Sequence, residues 1–401
     1  MVQLEGTGVA LANGAAPFLP VFLARLGASN FQVGLLSAMP AFTGLLFSVA
    51  VGGWLLSQHS VAPWYARGRF LSILAFGLTG LITLILPPIF SVPAILVIWA
   101  LTTLPQVMVN VTFSVVMNAV AGPNLRYDLL SRRWSMMGLI TAVCIALTGQ
   151  VLQRLSFPFN YQIAFMFLSV GGLVSLFFGS RLRLPDYSRQ NGPAQSARQQ
   201  WGAIGGLLRG QPAFVSVAGK RFLYMAGVAL AAPIVPLYYV RVAHANDAAI
   251  GLIATFQTLT LLIGYRLWTR LGERRGSRPV LLLTTLALAA YPALAAATQQ
   301  VWVLAVLAGL AGIFQAGFDL VFFDELMKRV PAGQAPLFVS FDQSAQNLAA
   351  VAAPLIGTLL ADRLGLGGAL LVSGGLRFAA FLLFARGARV AKNTATGAPG
   401  D

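Results

Sequence analysis

The sequence predicts an all-α membrane protein of twelve spanning helices in two pseudo-symmetric six-helix bundles. Three observations carry that prediction. The chain of 401 residues is 57% hydrophobic and only 9% charged, against the roughly 25% charged residues usual in soluble domains. Its apolar runs reach the length of about 20 residues that crosses a bilayer, and they fall six and six around a polar break. Finally, one passage is written twice: Ala15–Leu36, AAPFLPVFLARLGASNFQVGLL, returns as Ala231–Ile253, AAPIVPLYYVRVAHANDAAIGLI.

Within that repeat Pro17, Pro20, Arg25 and Asn30 match Pro233, Pro236, Arg241 and Asn246 at one offset of 216 residues, and a single insertion then aligns Gly34 with Gly251. Such duplication is a property of transporters, whose sites form between the halves. In order, the spans are expected near 5–26, 31–56, 69–89, 92–120, 134–154 and 161–182, then near 212–240, 247–270, 279–297, 300–326, 335–360 and 367–386. The start, MVQLEGTGVALANG, lacks the basic region and cleavage site of a signal peptide, so its apolar run is read as the first span. Residues 1–183 form the first bundle, 184–211 a cytoplasmic linker, 212–389 the second bundle and 390–401 a tail of disordered composition. In the linker, Trp201, Ile204, Leu207 and Leu208 share one face of a short interfacial helix interrupted by glycines.

The net charge of +16 does not mark a nucleic-acid binder, because the basic residues are dispersed in short loops between apolar runs. The loops after even-numbered spans are heavy in arginine (Arg126, Arg132, Arg133; Arg270, Arg274, Arg275, Arg278), whereas those after odd-numbered spans hold only Arg25, Arg154, Arg241 and Arg363. The heavy side is cytoplasmic, which places both termini in the cytoplasm. The single cysteine, Cys144, excludes an intramolecular disulfide, and His59 and His244 fall on opposite sides of the membrane, so no metal site or catalytic triad is expected. No glycine-rich loop ends in Lys-Ser or Lys-Thr, which argues against direct ATP use. An enzyme and a cofactor are therefore not expected.

Between the eighth and ninth spans the chain reads TRLGERRGSRPVLLL, Thr269–Leu283. This resembles the loop signature of the major facilitator superfamily, Gly-x-Leu-x-Asp-Arg-x-Gly-x-Arg/Lys. Leu271, Arg274, Gly276 and Arg278 fit it, Glu273 stands for the aspartate, and Thr269 replaces the first glycine. The corresponding loop after the second span keeps Gly53-Trp54-Leu55 but has Ser57 at the acidic position. Gly27–Ala41, GASNFQVGLLSAMPA, also looks like bacterial members of the superfamily, which implies the bacterial cytoplasmic membrane as location. The glycine-proline pattern of many drug/proton antiporters is missing from Gly138–Gln150, and the sugar-porter signature is absent after the sixth span.

In that fold the first, fourth, seventh and tenth spans line a central cavity, which the residues of the fourth support independently. Gln106, Asn110, Ser114 and Asn118 recur every four positions as one polar stripe, and polar side chains in hydrocarbon turn inward to a partner or to water. They serve either to hydrogen-bond a solute or to hold helices together. Asn13, Tyr224 and Gln315 are the facing candidates. A charge network is expected from Lys220, Arg221, Asp319, Asp342 and Arg377, all roughly 10–14 Å deep at about 1.5 Å per residue. Asp319 should pair with Arg221 or Lys220, and Asp342 with Arg377 or the same basic pair; the network is either a coupling device or a permanent staple. Glu5 is read as lying at the start of the first span, leaving the first half without an interior acid. The expected function is a secondary transporter or permease, for import or efflux of a small solute by alternating access, proton-coupled or facilitative, in a monomer within the lipid bilayer. The alternative is a transporter-like sensor or scaffold that moves nothing.

Overall fold

The computed structural model describes residues 2–56, 62–181, 211–327 and 335–396. All regular structure among them is helical: α1 (Val2–Asn13), α2 (Phe18–Arg25), α3 (Asn30–Leu56), α4 (Ala62–Ile85), α5 (Pro88–Arg154), α6 (Phe159–Gly179), α7 (Pro212–Arg241), α8 (Asp247–Arg275), α9 (Ser277–Ala296), α10 (Val301–Met327) and α11 (Ala335–Thr396). Among the described residues, eleven stretches are long and apolar enough to cross a membrane. The last, Asp342–Arg386, has 45 residues, about twice what a bilayer needs. Gly365, at φ 74°, breaks it into an eleventh and a twelfth span, because only glycine enters the left-handed region without steric penalty. The chain is a multi-pass, all-helical membrane protein. The expected linker helix and Ser57 lie outside the described residues.

The first span is not one helix. Pro17 and Pro20 have no N–H to donate to the carbonyls a turn earlier, and the backbone instead tightens into three-residue turns: Gly14 N–H donates to Leu11 O (3.0 Å), Ala15 to Ala12 O (3.0 Å) and Ala16 to Asn13 O (3.2 Å). The span therefore breaks between α1 and α2. Its repeat partner, α7, carries Pro233 and Pro236 as a continuous helix. Between the fourth and fifth spans the expected loop retains helical backbone, so α5 contains both Ile89–Asn110 and Arg132–Arg154. Leucine and arginine in Leu125–Arg133 sustain a helix where a loop was expected.

The halves meet along two repeat-related crossings, the second span against the eleventh and the fifth against the eighth. The aligned glycines occupy both. A Cβ on Gly34 would stand 2.7 Å from Thr358 Cγ2, and one on Gly251 would stand 3.1 Å from the Gly149 Cα. Absence of a side chain lets the backbones approach, as packing in lipid requires. Within the first half, Cβ atoms on Gly8 or Gly171 would overlap the other's carbonyl, which sets α1 directly against α6. A core of Phe18, Phe22, Tyr161, Phe165, Ile234, Leu237 and Ile250 joins the halves at one end. A second core, with Phe214, Tyr224, Trp268, Phe318 and Phe322, fills the second half.

Candidate functional site

The polar stripes of the fourth and tenth spans turn away from lipid. At about 100° per residue, nine residues bring a helix to its opposite face. Gln106 lies nine after Val97 and Asn110 nine after Leu101; Gln315 lies nine after Val306 and Asp319 nine after Leu310. Val97, Leu101, Val306 and Leu310 are exposed apolar side chains, as the lipid face demands. Asn110 and Asp319 are nevertheless accessible and Gln106 and Gln315 partly so, on the helix faces opposite those apolar side chains. Asn13 is exposed at the break in the first span. Ser114 keeps helical backbone, but its side chain lies outside the described residues. Tyr224, expected among the cavity residues, is instead fully buried and stacks on Phe318 with ring centroids 4.4 Å apart.

The ionisable groups separate into three assemblies. In the second half, Arg221 on α7 pairs with Asp342 on α11, and its guanidinium lies 4.4 Å from the centre of the Phe322 ring. Asp319 takes no cation from the described residues within 4.0 Å. It accepts instead from Gln315 Nε2 (2.7 Å) and the Tyr265 hydroxyl (3.4 Å). Arg377 is buried and donates to the carbonyls of Leu288 (3.2 Å) and Gly227 (3.5 Å) rather than to an acid; Gly227 leaves it room, since a Cβ there would come 2.8 Å from Arg377 Cγ. Lys220 Nζ stands 5.9 Å from the Phe384 ring centre.

The second assembly is one that sequence reasoning missed. Glu5 is fully buried; it forms an ion pair with Arg133 at 2.6 Å and accepts from the Tyr65 hydroxyl at 3.1 Å and the Ser175 hydroxyl at 3.1 Å, with Arg69 Nε at 3.6 Å. The first half thus does hold an interior acid. Helices from the first, third, fifth and sixth spans converge on it, so a position near the chain's start is interior to the bundle. Glu5 and Arg221 stand 216 residues apart, the offset of the repeat. Each half therefore ties its first span to its fifth by an ion pair, with the signs exchanged.

The third assembly clasps the two halves at the end away from these ion pairs. Arg25 reaches across to Asp247 (Nε to Oδ1, 3.0 Å) and to the Ala245 carbonyl (3.1 Å). Arg241, its repeat mate, reaches back to Asn30 Oδ1 (2.6 Å) and to the Ala28 carbonyl. Asn30 also donates to Asp362 (2.6 Å) and Tyr161 to Asp247 (2.6 Å). The repeated Arg25/Arg241 pair, visible in the sequence, is thus a reciprocal bond between halves. In the eighth–ninth loop, Gly276 at φ 80° turns the chain between α8 and α9. Leu271 packs against the second core, Glu273 and Arg274 are exposed, and Arg278 is half-buried.

Residues 217–400 match the Major Facilitator Superfamily model, and the geometry of the first half repeats that of the second. The chain is similar to that superfamily over its second half, just under half of its length. It is 28% identical over 166 residues to the multidrug resistance protein MdtG of Salmonella choleraesuis, covering 40% of this chain and 41% of that relative. The MdtG protein of Salmonella typhi is 27% identical over the same length. The match thus spans well under half of these relatives. Among solved structures, the nucleoside transporter NupG superposes with TM-score 0.72 at 14% identity, covering 96% of this chain and 97% of that one. A bacterial homologue of the iron transporter ferroportin in an inward-facing state gives TM-score 0.70 at 14% identity, with 96% of each chain covered. The xylose transporter XylE from E. coli gives 0.65 at 15% identity, again with 96% of each chain covered. These last likenesses extend the fold over nearly the whole chain.

Proposed function

We propose that the protein is a secondary transporter that moves a small solute across the bacterial cytoplasmic membrane by alternating access. The clasp is the observation that carries the reading. A lumen lined by Gln106, Asn110, Gln315 and Asp319, with Asn13 at the break in the first span and Ser114 further along the stripe, is shut at one end by bonds that run only between the halves. Such bonds are formed and broken as units when two rigid bundles rock about a central site. The Glu5–Arg133 and Arg221–Asp342 pairs stay within their own halves, so they hold each bundle rigid through that motion. The loop of Leu271, Glu273, Arg274, Gly276 and Arg278 would latch the opposite end, with both termini on that side in the cytoplasm. Likeness to multidrug resistance proteins favours export, and the protein works as a monomer. Protons are the candidate driving ion, with Asp319 their carrier in the lumen.

The test is a thermal-stability screen of purified protein against a panel of solutes, followed by flux in proteoliposomes. A ligand of the folded state raises the melting temperature by mass action. The expected result is that one class of solute stabilises the protein, that Asn110→Ala with Gln315→Ala abolishes the rise, and that the same solute crosses the membrane. Binding without flux would refute the transporter reading.

A further inference from the structure

The acids in the described spans are almost all satisfied. Glu5 has Arg133 and Arg69, Asp342 has Arg221, Asp247 has Arg25, and Asp362 shares Asn30 with Arg241. Asp319 stands apart. It lies on the lumen face of the tenth span, two neutral donors orient it, and its carboxylate meets no cation of the described residues within 4.0 Å. Arg221 is within electrostatic reach but its guanidinium is engaged by Asp342 and Phe322. The polar stripe of the fourth span carries the amides Gln106 and Asn110 and no acid.

A carboxylate in a lumen with low-dielectric walls needs a positive partner from somewhere. The surroundings suit an organic cation better than a bare metal ion. Among the described residues the other polar groups on these stripes are the amides Gln106, Asn110 and Gln315, not further carboxylates, and a hard divalent ion takes six or more oxygens. Tyr265, whose hydroxyl holds Asp319, adds an aromatic face for which an alkyl- or arylammonium has affinity. Gln315 and Tyr265 also fix the carboxylate before the solute arrives, so its orientation costs little entropy on binding.

We infer that Asp319, oriented by Gln315 and Tyr265, is the recognition point for solutes bearing a positive charge on an apolar body. This rests on the transporter reading only for the motion that follows binding; the binding itself is separable. A carboxylate of this kind would discriminate by charge rather than by shape, with the amides of the fourth span meeting whatever neutral groups the solute carries.

The experiment uses the full-length protein in nanodiscs and two probes of matched shape and opposite sign, tetraphenylphosphonium and tetraphenylborate. Tetraphenylphosphonium should raise the melting temperature and tetraphenylborate should not. Asp319→Asn should weaken tetraphenylphosphonium binding at least tenfold, and Asp319→Asn with Asn110→Asp, which returns the charge to the facing span, should restore part of it. Equal response to both probes, or full binding by Asp319→Asn, overturns the inference. If Asp319→Asn does not fold, Tyr265→Phe and Gln315→Leu serve, each expected to weaken the cation alone; unchanged binding in both overturns it. Should no cation bind the wild type while Asp319→Asn alters only the pH dependence of stability, the group is a proton carrier and the inference falls. Cation binding without flux leaves the inference standing and removes the transporter reading.

Discussion

Removing both clasp arginines should open the end of the lumen that they close. Arg25 makes two charge-assisted bonds across the halves, to Asp247 at 3.0 Å and to Ala245 O at 3.1 Å, and Arg241 makes two in return. Hydrogen bonds to charged groups contribute about 1.5–3 kcal/mol each. The side chains of Arg25 and Asp247 keep 28% and 10% of their exposure, so solvent screening holds the figure to the low end. Counting the two bonds of each arginine as one screened anchor of about 2 kcal/mol gives about 4 kcal/mol for Arg25→Ala with Arg241→Ala. At about 1.4 kcal/mol per tenfold change, the closed-to-open ratio falls by two to three orders of magnitude. The assay is a spin–spin distance between labels at Ser156→Cys and Gln299→Cys, exposed loop positions on opposite halves at the clasped end, in a Cys144→Ser background. The double variant should lengthen and broaden that distance, and exchanging the charges of Arg25 and Asp247 should bring part of the short population back. An unchanged distribution would mean that the packed core of Phe22, Tyr161 and Ile250, and not the arginines, holds the end shut.

The buried pair of the first half makes a separate claim on stability. Glu5→Gln leaves the fully buried Arg133 without its counter-charge, which costs about 3–5 kcal/mol and should lower the detergent melting temperature by many degrees; Glu5→Arg with Arg133→Glu should recover part of it. At the two crossings, Gly34→Leu and Gly251→Leu force apart backbones that now touch Thr358 and Gly149. Each should cost about 1–3 kcal/mol or more by overpacking, read as a lower melting temperature, whereas Gly375→Leu, where a Cβ meets nothing within 4 Å, should change it little.

How much of this was legible in the sequence follows from the range over which each interaction acts. Helix count, the repeat and the inward stripe of the fourth span come from local period and composition, and the turning of Gln106, Asn110, Gln315 and Asp319 away from the apolar faces follows from the same period. The loop motif was readable because Gly276 answers a local demand of the backbone. Pairing was less readable, because depth along a helix does not say which way a side chain turns. Asp319 and Arg221 lie at similar depth, yet Arg221 turns to Asp342 on the eleventh span. Tyr224 has a lumen-like place in the sequence but faces Phe318 inside its own bundle. The break in the first span could be foreseen from Pro17 and Pro20, but its absence from α7, which has the same two prolines, depends on what surrounds each helix.

Glu5 shows why one assembly stayed hidden. An alignment of the halves by identity finds prolines, arginines and asparagines that perform the same act twice, but it passes over Glu5 against Arg221, which are chemical opposites. Coulomb attraction is unchanged when both signs are reversed, so Glu5 with Arg133 and Arg221 with Asp342 are equivalent as ties between a first and a fifth span. What the duplication preserved is the tie and its register, not the residue. The same comparison gives the lumen its polarity. The clasp and the ties are doubled, so they cancel as sources of asymmetry between the halves. The stripe is not doubled in charge, because the fourth span carries the amides Gln106 and Asn110 where the tenth carries Gln315 and Asp319. The difference in charge between the two stripes is therefore that one carboxylate, which meets no cation of the described residues within 4.0 Å.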